Sequence, residues 1–154
     1  MPLIAGMLIE CLLISGLLVI ATALIHFIGL AWLSAFLRRS GHSPATITSV
    51  VLQGLSILFV VLMLFALHAV EVLLFAIAYI MLGEFNGIEE ALYFSASTFT
   101  TVGFGDLYLE SEWRMLAAME SMNGFLLIGW STAFLVSVTA RIRLFEIDVD
   151  RLDG

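Results

Sequence analysis

Residues 100–106 read TTVGFGD, a short run that lies between two long apolar stretches of the chain. Within it, Gly103 and Gly105 alternate with Val102 and Phe104. A row of backbone carbonyl groups that all point to one side is incompatible with ordinary β geometry, in which successive residues face opposite sides. Glycine adopts unusual φ and ψ values readily, so glycine at alternate positions permits such a row. The alternation therefore permits a lining of backbone oxygen atoms along one side of this segment.

The composition of the chain is that of an integral membrane protein. Of its 154 residues, 62% are hydrophobic and 12% are charged, whereas soluble domains average about 45–50% and about 25%. An ordinary soluble enzyme and a disordered chain are therefore excluded, and no catalytic constellation in the sequence indicates an enzyme. The net charge of −7 argues against a nucleic acid partner. A single cysteine, Cys11, excludes a disulfide framework within the chain.

Three apolar stretches are long enough to cross a lipid bilayer, which takes about 20 helical residues. They run from about residue 3 to 37, from 47 to 82 and from 113 to 140. The first two are longer than a bilayer needs, so we expect them to tilt or to protrude into water. No basic residue precedes the first stretch, and we expect a mature helix rather than a signal peptide. The predicted fold class is an all-α membrane protein with three transmembrane helices.

A fourth, shorter helix is predicted over residues 88–99. Its apolar residues have helical spacing, and Glu89 and Glu90 suit the positive end of a helix dipole. It is too short to cross a bilayer, so we expect a re-entrant helix, which is tolerated where it is buried in protein or faces water.

The run at 100–106 resembles the selectivity filter of potassium channels, and the similarity continues back through 91–95 and forward to Trp113. It covers about residues 47–143. The resemblance implies a homotetrameric potassium channel pore fold, in which each chain supplies one quarter of every ring around the pore. We accordingly divide the chain into an additional N-terminal transmembrane helix with a cytoplasmic hairpin (1–40), a pore domain (41–143) and a short cytoplasmic tail (144–154). The predicted pore domain contains an outer helix at 45–82, a pore helix at 88–99, the filter at 100–106 and an inner helix at 113–140.

The resemblance implies that K⁺ is the permeant ion and that backbone oxygen atoms bind it. Rings of carbonyl groups can replace the hydration shell of the ion. By resemblance, the ligands are the carbonyl groups of Thr101, Val102, Gly103 and Phe104, and the Thr101 hydroxyl adds the innermost ring. Gly105 completes the filter. We expect no organic cofactor and no small-molecule substrate.

Several side chains are predicted to support the filter. Phe104 replaces the commoner tyrosine, Tyr93 and Phe94 stand where many members have paired tryptophans, and Ser97 stands where some bacterial members have a glutamate. We therefore expect a thin hydrogen-bonded cuff and a filter that inactivates readily. The predicted supporting residues are Thr100, Asp106, Tyr93, Ser97 and Glu120.

Glu120 lies within the third apolar stretch, where an unpaired carboxylate is costly. It is either a brace on the pore helix hydroxyls of Ser95 or Ser97, a charge that attracts cations, or a protonated acid bonded to neighbouring helices. Further along the same stretch, Gly124 fits a gating hinge or close helix packing. The resemblance places Phe125, Ile128 and Thr132 along the cavity or gate.

His68 and Glu71 lie three residues apart on the second apolar stretch and share a helix face. The favoured interpretation is an ion pair or hydrogen bond to the first helix, with Glu10 or His26 as the partner. A proton sensor is a second interpretation, because histidine titrates near neutral pH. A metal site is a third.

Charge placement predicts the orientation of the chain. There is no lysine, and five of the six arginines lie in the 38–44 loop or after Ala140. By the positive-inside rule, this side is cytoplasmic, and the filter and the N-terminus are extracellular or periplasmic. Ser43 and Pro44 are typical of a helix start.

We interpret the chain as a potassium-selective channel of the cell membrane that conducts K⁺ passively. The alternatives are a non-selective cation channel, a non-conducting or regulatory subunit of a potassium transport complex, and a potassium transporter subunit. Arginine at every third position is absent from the apolar stretches, so no voltage sensor of the known kind is expected.

Overall fold

The structure, a computed structural model, describes residues 2–39 and 50–152, with side chains described over 6–39 and 54–140. Within these ranges the chain forms helices joined by turns and contains no strand. The helices are α1 (Pro2–Arg39), α2 (Val50–Met81), α3 (Ile88–Phe99) and α4 (Arg114–Leu152). The predicted all-α fold is confirmed.

Three of these helices have the length and composition of membrane spans. The spanning segments are Gly6–Arg39, Gly54–Met81 and Arg114–Ala140. Large apolar side chains on their outer faces are exposed, among them Leu17 at 68% and Phe65 at 76%. Contiguous apolar surface of this kind is what a lipid environment accommodates. The chain is therefore a multi-pass membrane protein.

The helix bounds agree with the prediction at α3 and differ from it at the end of α4. The predicted pore helix at 88–99 coincides with Ile88–Phe99. The predicted inner helix stops at 140, whereas α4 continues to Leu152 through most of the predicted tail. No glycine or proline interrupts 141–152, so the chain lacks the usual signals that end a helix. Residues 45–49 of the predicted outer helix, and the start signal at Ser43 and Pro44, lie outside the described residues.

A Schellman turn ends α2 and returns the chain toward α3. Gly83 has a φ of 80°, a left-handed value that suits glycine. Its N–H donates to the Ile80 carbonyl at 3.0 Å, and the Glu84 N–H donates to the Tyr79 carbonyl at 3.0 Å. These two bonds satisfy carbonyl groups that a helix end would otherwise leave free.

Two apolar clusters hold the helices together. One surrounds α3 and includes Phe75, Phe85 and Leu116, all buried. The other joins α1 to α2 through the buried residues Leu30, Leu33, Val60 and Leu64, with partly buried residues of α4 packed against it. The additional N-terminal helix is thus packed on both long helices of the predicted pore domain.

Candidate functional site

The end of α3 leads directly into the 100–106 segment. The Thr100 N–H and hydroxyl both donate to the Ala96 carbonyl, at 3.1 and 2.7 Å. The Thr101 N–H donates to the Thr98 carbonyl at 2.9 Å. The last carbonyl groups of the helix are therefore satisfied by the residues that begin the segment. This arrangement holds the start of the segment close to the helix axis.

Three successive backbone N–H groups of the segment point at one residue, Ser97. Those of Val102 and Gly103 donate to the Ser97 carbonyl at 3.0 and 3.1 Å. That of Phe104 donates to the Ser97 hydroxyl oxygen at 3.2 Å. Ser97 is thus the anchor of the segment, because its backbone and its side chain together hold three consecutive peptide groups.

The carbonyl directions follow from these bonds. The peptide bonds here are trans, and the C=O of a planar trans peptide points opposite to its N–H. The carbonyl groups of Thr101, Val102 and Gly103 therefore all point away from Ser97, toward one common side. Positive φ, the left-handed backbone conformation, recurs at every second residue of this row: φ is 62° at Thr101, 57° at Gly103 and 77° at Gly105.

Thr101 is the residue of this alternation that sequence reasoning missed. Positive φ is uncommon for a residue that is not glycine and is rarer for a β-branched one. Thr101 alone shows it among the non-glycine residues that the structure describes. Such a conformation costs of order 1–3 kcal/mol and persists where surrounding contacts hold it. The hydrogen bonds on either side of Thr101 supply those contacts.

A tyrosine braces the C-terminal end of the segment. The Tyr93 hydroxyl donates to the Asp106 carboxylate at 2.9 Å, and the Tyr93 ring stacks on Phe104 with 5.9 Å between centroids and 8° between planes. The hydrogen bond to Asp106 raises the pKa of the Tyr93 hydroxyl. Ser97 and Tyr93, both predicted as supporting residues, thus bond to the two ends of the segment, and ready inactivation stays a prediction.

Glu120 joins three helices in the interior. Its carboxyl oxygens lie 2.5 Å from the Ser95 hydroxyl of α3 and 2.5 Å from the Tyr79 hydroxyl of α2. All three residues are fully buried. Of the two predicted serine partners, the structure selects Ser95, and the Tyr79 contact had no signal in the sequence.

The hydrogen bonds around Glu120 are consistent with a protonated carboxyl group. The Ser95 hydroxyl has one proton, and it also lies 2.9 Å from the Val72 carbonyl, which can only accept. If Glu120 donates to Ser95, then Ser95 donates to Val72, Tyr79 donates to Glu120, and every group has a partner. An ionised Glu120 would leave one of the two acceptors of Ser95 without a proton.

Gly124 lies where α4 crosses the end of α3. A Cβ built on Gly124 would come within 2.0 Å of the Phe99 carbonyl oxygen. Close packing at this point therefore requires glycine, and the hinge role stays a prediction. Phe125 and Thr132 are exposed and Ile128 is partly exposed within a single chain, so their cavity role also stays a prediction.

His68 and Glu71 meet His26 of α1, so the structure selects His26 rather than Glu10 as the partner. The His26 and His68 Nδ1 atoms lie 2.9 and 2.8 Å from the two Glu71 carboxylate oxygens. The Ser131 hydroxyl of α4 lies 3.5 Å from the His26 Nε2 atom. The predicted link between the first two helices is thus present, and α4 approaches it.

The comparisons with known proteins concern the part of the chain that contains this site. A protein-family model described as an ion channel matches residues 67–141. No curated protein and no solved structure gives a match. The matched residues include the end of α2, all of α3, the 100–106 segment and the spanning part of α4. Residues 67–141, just under half of the chain, are therefore similar to this family of ion channels.

Proposed function

We propose that the chain is a subunit of a K⁺-selective channel, and that four copies surround a central pore through which K⁺ passes down its electrochemical gradient. The observation that carries this proposal is the convergence of three successive N–H groups on Ser97, which turns the carbonyl groups of Thr101, Val102 and Gly103 to one side. Backbone oxygen atoms in such a row can replace the water around K⁺. The carbonyl of Phe104 and the hydroxyl of Thr101 complete the proposed ligand set.

A fourfold assembly is the simplest way to complete the coordination. At each position along the proposed pore, one chain supplies one carbonyl group. A dehydrated cation needs oxygen atoms on several sides, and a closed ring of identical chains provides them. Val102 and Phe104 are 56% and 66% exposed in a single chain. Burial of these apolar side chains by neighbouring copies would favour the same assembly.

K⁺ selectivity is proposed over a non-selective pore because the segment keeps Gly103, Gly105 and an aromatic residue at Phe104. The stacking of that aromatic ring on Tyr93 supports a fixed pore diameter. A loose filter would admit Na⁺ as well. The intact alternation of glycines also argues against a silent subunit, which has no need of it.

The proposed orientation places the filter outside the cell. The arginines at the end of α1 and in the part of α4 after Ala140 lie at the opposite end, which the positive-inside rule assigns to the cytoplasm. Acidic residues at the filter end would raise the local concentration of cations. They are Glu84, Glu89, Glu90, Asp106, Glu110 and Glu112.

The test is ion flux into liposomes that contain the purified full-length chain. We expect K⁺ flux that exceeds Na⁺ flux and that Ba²⁺ blocks. Gly103→Ala should abolish this flux, because the φ of 57° at Gly103 is strained for alanine. The cause is not a clash, since a Cβ at Gly103 meets nothing within 4 Å in one chain. Gly83→Ala is the matched control: it has a φ of 80° and equal space, but it lies in the α2–α3 turn. Equal Na⁺ and K⁺ flux, or unchanged selectivity in Gly103→Ala, would refute the proposal.

A further inference from the structure

A second polar cluster lies in the interior, away from the 100–106 segment, where α1, α2 and α4 meet. It contains His26 from α1, with His68 and Glu71 from α2, and Ser131 from α4 approaches it. The side chains of His26 and Glu71 are fully buried, and that of His68 is 20% exposed. The channel function proposed above gives this cluster no role.

The donor atoms of the cluster lie close to one another. Both imidazole rings direct Nδ1 at the Glu71 carboxylate, at 2.9 Å from His26 and 2.8 Å from His68. The two rings are stacked with 5.4 Å between centroids. One ligand atom from each of the three residues lies within 4.8 Å of the others. Two imidazole nitrogens and a carboxylate oxygen form a donor set that suits borderline divalent metals rather than Mg²⁺ or Ca²⁺.

We propose that His26, His68 and Glu71 bind one divalent first-row transition-metal ion, and that Zn²⁺ fits the donor set best. Three protein ligands leave a fourth position of a tetrahedral zinc site for water. With bonds of about 2.0–2.2 Å, neighbouring ligands of such a site are about 3.3 Å apart. The present N–O distances of 2.8 and 2.9 Å therefore need to open by about half an ångström.

Two further features favour a cation at this position. A metal bound at Nδ1 leaves the imidazole proton on Nε2, and the His26 Nε2 faces the Ser131 hydroxyl oxygen at 3.5 Å. An acceptor of this kind orients a histidine ligand and fixes its tautomer. In addition, a fully buried carboxylate is costly among apolar helices unless a cation or strong donors accompany it. A dication offsets that cost more fully than two neutral imidazoles do.

Metal binding at this cluster would act on the pore through packing contacts. The His68 ring lies 5.7 Å, centroid to centroid, from the ring of Phe99, the last residue of α3. The Phe99 carbonyl oxygen is the atom that packs against Gly124 of α4. His26 lies outside the region matched to the ion channel family, so the additional helix completes the site. This effect on conduction rests on the proposed channel function, whereas the metal site does not.

The binding test uses the purified full-length chain, treated with a chelator and then titrated with Zn²⁺ by calorimetry. We expect one ion per chain and a melting temperature that rises with Zn²⁺ concentration. His26→Gln and His68→Gln should each weaken binding by about 100-fold or more, since removing a supporting partner alone costs about 10–100-fold. The matched control is His42→Gln, which removes the third histidine of the chain and lies outside the described residues.

Several outcomes would support or overturn the proposed zinc site. Absence of Zn²⁺ binding to the folded wild-type chain would overturn the proposal. An affinity in His26→Gln and His68→Gln equal to that of the wild type would overturn it as well. His68→Gln guards against misfolding, because its side chain is partly exposed and its loss leaves the His26–Glu71 bond in place. X-ray absorption should give zinc–nitrogen distances of about 2.0–2.1 Å.

The effect on conduction is tested separately with liposomes. Zn²⁺ should change K⁺ flux through the wild type and through His42→Gln, and it should leave flux through His68→Gln unchanged. An unchanged flux with zinc bound would overturn the regulatory effect. Absence of K⁺ flux in metal-free wild type would instead refute the channel function, whatever the calorimetry shows.

Discussion

Replacement of Glu120 distinguishes the two protonation states that its contacts permit, a protonated carboxyl group and an ionised carboxylate. Glu120→Gln preserves the shape of the side chain and supplies an NH₂ donor group and a carbonyl acceptor. The amide N–H₂ can donate to the Ser95 hydroxyl while its oxygen accepts from Tyr79. A protonated Glu120 makes the same pattern of bonds, so we expect Glu120→Gln to retain stability and flux. Glu120→Leu removes both bonds at similar volume.

The expected loss of stability in Glu120→Leu follows from the hydrogen bonds that Ser95 and Tyr79 each keep. Ser95 keeps the Val72 carbonyl at 2.9 Å, so it loses one bond without becoming unpaired. Tyr79 is fully buried, and its hydroxyl loses the partner that the structure gives it. An unpaired buried hydroxyl costs about 1–3 kcal/mol, and a lost hydrogen bond costs about 1 kcal/mol. We expect a loss of about 2–4 kcal/mol, which lowers the melting temperature by about 4–16 °C in a chain of this size.

The assay is thermal unfolding of the purified chain in detergent, with K⁺ flux in liposomes as the second measurement. The double variant Glu120→Leu/Tyr79→Phe removes the unpaired hydroxyl and should recover about 1–3 kcal/mol relative to Glu120→Leu. If Glu120→Gln is as unstable as Glu120→Leu, then Glu120 is ionised and the argument from proton counting is wrong. If the double variant recovers nothing, Tyr79 is not the group left unpaired.

Two further substitutions test contacts of the 100–106 segment. Ser97→Ala removes the acceptor of one N–H of the segment, a bond worth about 1 kcal/mol, and should lower the K⁺/Na⁺ flux ratio up to about fivefold. Ser15→Ala, which loses a bond within α1, should not lower this ratio. A ratio unchanged in Ser97→Ala would contradict the anchoring role. Gly124→Ala should abolish K⁺ flux, because its Cβ would meet the Phe99 carbonyl oxygen at 2.0 Å, whereas Gly16→Ala, with nothing within 4 Å, should conduct normally. Normal flux through Gly124→Ala would show that the two helices are not so close in the assembled channel.

Much of the architecture was predictable because its signals are local. Hydropathy summed over about 20 residues identifies a membrane span without knowledge of its neighbours, and the three predicted spans are confirmed. The 88–99 helix has its own periodicity and acidic first turn. The end of α4 was predicted less well. Residues 141–152 are polar enough to leave a bilayer, but nothing in them ends a helix.

The 100–106 segment was predictable in part. Alternating Gly103 and Gly105 indicate a backbone that departs from β geometry, and both have positive φ. The same conformation at Thr101 had no sequence signal, because a β-branched residue reaches it only where hydrogen bonds from the helix end hold it. The role of Ser97 as the anchor of three N–H groups depends on where α3 ends relative to the segment.

The sequence by itself determined that this chain has three helices able to cross a membrane, one further short helix and a glycine-alternating segment between two spans. These properties depend on composition and on spacing within one element. Only the tertiary structure decided which residues meet across elements: Tyr79 and Ser95 at Glu120, and His26 at Glu71. The physical reason is that α1 and α2 are apolar on nearly every side. Periodicity in such helices does not indicate which face meets a neighbour, so the rotation and register that bring polar side chains together are set by packing.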